Sequence, residues 1–220
     1  FEVREQGAPL PLLQFTLEQL FAQREGHLLT LQAYRDIGGV KGALVKHADK
    51  TYADLPSEEH RKLAQILFTR LIEPGTMLQD MTRRRAIREE FELPDPRLTQ
   101  LLRTTMDAFI AARLLTTNKV GDTTTIEVSH EALIREWPLC TQWIQETREN
   151  LPFQQTLSKD VAQWEELGKP KERLYRGSQL KTMKKRVDRS LLNKQETSFL
   201  YKSTIHQRQQ WIRMIALLLV

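Results

Sequence analysis

The sequence predicts a mainly α-helical array that contains a winged-helix subdomain with a small β-hairpin wing, and three observations predict it. Apolar residues recur at three- and four-residue spacing along most of the chain. Gly and Pro interrupt that pattern at close intervals, so the helices are joined by short loops. Residues 114–128 alone break the helical period, with two β-branched runs around a turn-rich stretch.

Taken in chain order, Leu13, Leu17, Leu20 and Phe21 form a first core stripe, closed by Gly26. Gly38-Gly39 and Gly42 mark the next junction, where glycine lets a helix start or a second backbone come close. Pro56-Ser57 opens a helix carrying Leu63, Ile66, Leu67 and Leu71, which ends before Pro74-Gly75. Residues 82–90, TRRRAIREE, offer a short pairing strand. After Pro94-Asp95-Pro96 comes a helix with Leu98, Leu102, Met106, Phe109 and Ile110 on one side, ending near Arg113. Leu114–Thr117 and Thr125–Val128 then read as a hairpin about Asn118–Asp122. Ser129 is the expected N-cap of the following helix, with His130 and Glu131 in its first turn. Trp137, Trp143 and Trp164 are expected to bury their rings between helices, beside Leu139, Leu157 and Val161. Gly177, in Tyr175-Arg176-Gly177, marks a helix junction.

At 220 residues and 40% apolar content the chain can bury a core. It begins at Phe1 and ends inside the apolar run WIRMIALLLV, which predicts an excerpt of a longer protein. A single cysteine, Cys140, excludes an intrachain disulfide and a thiolate metal cluster, and fits a reducing, cytoplasmic setting. The net charge of +5 is unevenly spread. Residues 168–220 hold thirteen Lys and Arg against three acids, which leaves residues 1–167 with five more acids than bases. A basic segment beside an apolar run predicts membrane contact through the C-terminus, or else solvated helix faces. Only seven residues follow Arg213, fewer than a spanning helix needs, so the segment from Gln207 reads as a linker or as the start of a membrane helix beginning near Trp211.

No enzyme emerges from the motifs. His130-Glu131 starts like a zinc-protease H-E-x-x-H helix, but Ile134 stands where the second histidine belongs. His27, His47, His60 and His206 lack ligand spacing and read as solvated surface residues. GGVKGAL (38–44) lacks the spacing of a Walker A loop. Neither catalytic residues nor metal ligands are therefore expected. What remains is His130 at a strand-to-helix junction, where free backbone N–H groups and an imidazole suit a phosphate. Arg83, Arg84 and Arg85 form a second candidate for phosphate or protein contact, the alternative being a solvated cluster.

Five blocks then converge: LPLLQFTLEQLF (10–21), LTLQAYRDIGGVKGAL (29–44), EVSHEALIREWP (127–138), LYRGSQL (174–180) and ETSFLYKS (196–203). In order and spacing the chain resembles the novel STAND NTPases, bacterial signalling ATPases often fused to WD-repeat propellers. The resemblance implies that residues 1–56 are a lid-like helical segment and 57–150 a winged-helix-like domain with its hairpin at about 114–128. Residues 151–206 would be a basic helical segment, and 207–220 the beginning of a linker or membrane helix. It further implies an upstream P-loop core that binds ATP or ADP with magnesium, a downstream propeller, and self-association on activation. Related apoptotic and plant-resistance ATPases carry a lid Gly-x-Pro motif whose proline packs near adenine; Pro11 takes that place here. Their Met-His-Asp motif, whose histidine touches the β-phosphate of ADP, corresponds to Ser129-His130-Glu131. The Ser and Glu depart from the motif, and Ser129 and Glu131 are carried over only as switch support.

Two other readings compete. A structural helical adaptor would need no nucleotide contact. A winged-helix DNA-binding module would use Arg97, Arg103 and Lys119, but the acidic balance of residues 1–167 opposes binding to phosphates.

Overall fold

The computed structural model describes residues 10–73, 75 and 80–218, apart from the side chains of 10–12, 14, 15, 120 and 216–218. The chain divides into two units, Phe1–Ile87 with Leu101–Gln145, and Arg88–Gln100 with Glu146–Val220.

In the first unit, α1 (Leu10–Ala22), α2 (Leu31–Asp36), α3 (Gly39–Ala53) and α4 (Glu58–Arg70) come first. Short strands β1 (Ile72–Glu73), β2 (Thr82–Arg83) and β3 (Ala86–Ile87) follow. Helix α5 (Pro96–Ala111) begins in the second unit and ends in the first. The hairpin β4 (Leu115–Val120) and β5 (Thr123–Val128) and helices α6 (Glu131–Glu136) and α7 (Pro138–Thr147) complete it.

Helix α3 is the element on which others pack: α1 and α6 both lie against it. It starts as the glycines predict, with Gly38 in the left-handed region at φ 81°. A Cβ on Gly42 would sit 2.6 Å from the carbonyl oxygen of Ile37, a distance only glycine tolerates. Helix α4 is capped by Ser57, whose hydroxyl accepts from the N–H of His60. The hairpin has a two-residue Gly121-Asp122 turn, with Gly121 at φ 61°, so the strands run closer to the tip than the β-branched runs alone predict. Ala86–Ile87, within the stretch expected to supply a pairing strand, pairs with Thr125–Ile126, giving an antiparallel sheet of order β3-β5-β4. A second antiparallel pair joins β1 to β2. The described residues are thus mainly helical with two small antiparallel sheets.

Phe68, Phe109, Trp137 and Trp143 form the aromatic centre of this unit, with largely edge-on contacts at 5.0 to 5.4 Å between Phe68 and Phe109, Phe68 and Trp137, and Trp137 and Trp143. Two expectations need correction. Leu17 and Phe21 are 45% and 59% exposed, because α1 turns Thr16 and Leu20 inward instead. His60 is buried, 7% exposed, and its Nδ1 lies 2.8 Å from the Ser57 hydroxyl: the third residue of the helix folds back under its own cap. His47 is half-buried, with Nε2 2.8 Å from the carbonyl oxygen of Ala112.

The second unit contains α8 (Leu151–Glu166), α9 (Gly177–Arg186) and α10 (Lys194–Leu218). Its core gathers Leu157, Val161, Trp164, Tyr175, Leu180 and Phe199. Gly177 opens α9 at φ 51°. A reciprocal cap starts α10: Asn193 Oδ1 accepts from the N–H of Glu196 at 2.8 Å, and Glu196 Oε2 accepts from the N–H of Asn193 at 2.9 Å. The fully buried Glu196 also accepts from Gln154 and Ser158. Asn193 and Lys194 in turn donate to the carbonyl oxygens of Glu90 and Glu92. Helix α10 is 25 residues long, so Trp211 lies well inside a helix that starts at Lys194 and does not begin a new one. No helix among the described residues is long and apolar enough to cross a membrane.

Candidate functional site

The strand-to-helix junction at residues 128–131 is built differently from expectation. Ser129 is not the N-cap. Its N–H donates to the carbonyl oxygen of Leu114 at 3.0 Å, continuing the hairpin ladder by one rung beyond the Leu115–Val128 pair. The chain stays extended through Ser129, and the cap falls one position later, on His130. His130 is extended, φ −147° and ψ 134°, and its Nδ1 accepts from the N–H of Ala132 at 2.8 Å. An imidazole that accepts through Nδ1 carries its proton on Nε2 when neutral, so the far side of the ring is a donor.

Helix α6 is held firmly for so short an element. Lys41 on α3 pairs with Glu136 at 2.6 Å, and Trp137, just past the helix, donates from Nε1 to Asp49 of α3 at 2.7 Å. Leu133 and Ile134 are buried beneath it. Strand β2 packs beside α6, which brings Arg83 to the junction, 3.5 Å from the carbonyl oxygen of Ser129. The three consecutive arginines part company. Arg83 is exposed, Arg84 turns in to donate to the carbonyl oxygen of Arg70 at 2.9 Å, and Arg85 pairs with Glu127 at 3.2 Å. Glu131 is drawn along its own helix to Arg135 at 3.4 Å. The structure therefore brings together His130, Ser129, Arg83 and Glu131, and leaves Arg84 and Arg85 in structural contacts. Arg135 joins the group unannounced by the sequence; its i,i+4 spacing from Glu131 was the available signal. Pro11 falls in the first turn of α1, and its side chain lies outside the described residues.

Burial first, and then the charge of Arg83, hold the His130 imidazole below its ordinary pKa; Glu131 opposes this and Arg135 adds to it. The folded chain thus binds fewer protons here than the unfolded chain. Stability rises with pH across this window and is lost as pH falls below about 6.5, where the unfolded imidazole takes up its proton. The urea midpoint is expected to be lower at about pH 5 than at about pH 7.5, and His130→Asn, which caps without titrating, is expected to shrink that difference.

A neutral N–H donor beside an exposed guanidinium fits phosphate oxygens. It does not fit magnesium, which takes oxygen ligands, and no group of three or more His, Cys, Asp or Glu among the described residues is arranged to hold a metal. Comparison with curated proteins and with solved structures gives no significant match. Residues 2–172 match the family model described as Novel STAND NTPase 1. With more than half its length covered by that match, the chain belongs to the novel STAND NTPase 1 family.

Proposed function

We propose that this chain is the lid and winged-helix part of a STAND-type signalling ATPase, and that His130 senses the nucleotide held by a P-loop core. The observation that carries the reading is the cap bond: Ala132 N–H donates to Nδ1, which leaves Nε2–H as the donor of the neutral ring. The nucleotide would supply a polyanion whose terminal phosphate is lost on hydrolysis. His130 would donate to a phosphate oxygen and Arg83 would place a positive charge beside it. Helix α3, through Lys41 and Asp49, would transmit the position of that contact into the unit. A hydrogen bond to a charged group contributes about 1.5–3 kcal/mol. If it forms in only one of two arrangements, it shifts their populations about ten- to a hundredfold.

The exposed Leu17, Phe21, Leu28, Leu29 and Leu31 support the same reading, since a covering domain would bury them. Magnesium and the adenine-binding surface are assigned to the core, with Pro11 as the lid's contribution. A WD-repeat propeller and self-association on activation complete the arrangement proposed for the whole protein.

The test is the nucleotide content of the longer protein that includes the core. Purified wild type is expected to carry ADP, and His130→Ala to carry little. Equal ADP in both would make His130 a cap alone, and folded wild type without nucleotide would favour a structural adaptor.

A further inference from the structure

Helices α9 and α10 of the second unit enclose a groove of about 630 Å³, lined by Leu180, Lys181, Lys184, Thr204, Arg208 and Trp211 among others. No carboxylate among the described residues lines it. Lys181, Lys184 and Arg208 have no ion-pair partner among the described residues, so three cations face an open groove uncompensated. The groove continues into a second feature. Trp211, Ile212, Met214 and Ile215 are each more than half exposed. At 100° per residue they share one side of α10 with Thr204 and Arg208, the residues that line the groove.

These features narrow the ligand. A free phosphate or a nucleic acid would satisfy the cations but leave Ile212, Met214 and Ile215 in water. An apolar partner would cover those side chains but strand the cations. A surface with phosphates at its face and hydrocarbon just beneath satisfies both, which is how amphipathic helices lie in a membrane interface. The surplus of ten positive charges over residues 168–220 favours an anionic one.

We propose that the α9–α10 groove and the adjoining apolar side of α10 form a peripheral docking surface for an anionic phospholipid bilayer. Lys181, Lys184 and Arg208 engage the headgroups, while Trp211, Ile212, Met214 and Ile215 enter the boundary with the acyl chains. Docking of this kind lies in the interface and does not require a crossing helix. It is independent of the nucleotide reading, because every residue involved lies beyond residue 172.

The experiment is co-sedimentation of the chain with phosphatidylcholine vesicles, with and without one-third phosphatidylserine, together with tryptophan emission. Trp137, Trp143 and Trp164 are buried, so a vesicle-induced blue shift reports on Trp211. Binding to the anionic vesicles alone, with that shift, is expected. Reversal of the three charges, K181E with K184E and R208E, is expected to weaken partitioning by about 100-fold or more. Trp211→Ser is expected to abolish the shift. All four positions are on the surface of the unit, and circular dichroism of each variant checks that it is folded. Equal binding to neutral vesicles, or no binding of folded chain to anionic ones, overturns the proposal. So does release from vesicles by millimolar inorganic phosphate, or association with duplex DNA in the absence of vesicle binding.

Discussion

His130→Asn, in protein that includes the phosphate-binding core, is expected to lower ADP affinity about ten- to a hundredfold while leaving the unfolding midpoint near that of wild type at neutral pH. The two halves of that result come from two ends of one ring. Asparagine is among the best N-cap residues, and its Oδ1 can accept from Ala132 as Nδ1 does. It cannot reproduce a donor at the far edge of an imidazole. His130→Ala removes both ends, and is expected to lose about 0.5–2 kcal/mol of stability for the missing cap as well as the ADP. Calorimetric titration with ADP beside urea unfolding separates the roles. If asparagine binds ADP like wild type and only alanine fails, the histidine serves the helix and not the nucleotide.

Trp137→Ala is expected to cost about 3–5 kcal/mol, a large fraction of a domain's stability. The indole is fully buried, in edge-on contact with Phe68 and Trp143, and it carries a hydrogen bond to Asp49. Truncation opens a cavity among rings that cannot collapse into it. Trp137→Phe keeps most of the ring surface and is expected to cost less, since Asp49 is exposed and can turn to water. Chemical denaturation of both variants checks the order; equal costs would mean that the hydrogen bond, not the ring volume, holds the junction of α6 and α7.

Where local chemistry decided the structure, it was legible. The β-branched runs around Gly121-Asp122 form the hairpin, Ala86–Ile87 adds the third strand, and Ser57 caps α4. The three predicted indoles are buried. Misreadings occurred where a tertiary partner overrode the local signal. Ser129 has the better capping chemistry, yet the strand pairing runs one rung further, to Ser129, and the cap falls on a histidine. Leu17 and Phe21 have core spacing but α3 receives the neighbouring side of α1. His60 looked like any surface histidine until its own N-cap folded it inward. At the candidate site, His130 was visible as a residue between two periodicities. The approach of Arg83 to the neighbouring Ser129 carbonyl, 46 residues away in the chain, was not, because it depends on β2 packing beside α6.

The chain enters the second unit at Arg88, leaves it after Gln100 and returns at Glu146. This interleaving governs the order in which the protein can be made. Glu90 and Glu92 emerge from a ribosome about a hundred residues ahead of Asn193 and Lys194, whose groups their carbonyls accept. During that interval the early segment, with the apolar Phe91 and Leu93, has no native place to go, although both are buried in the finished unit. Closing so long a loop slows folding and exposes apolar chain meanwhile. The first unit, by contrast, has all its parts once Gln145 has been added, so synthesis itself imposes a sequence: the unit bearing His130 can settle first, and the basic unit closes last.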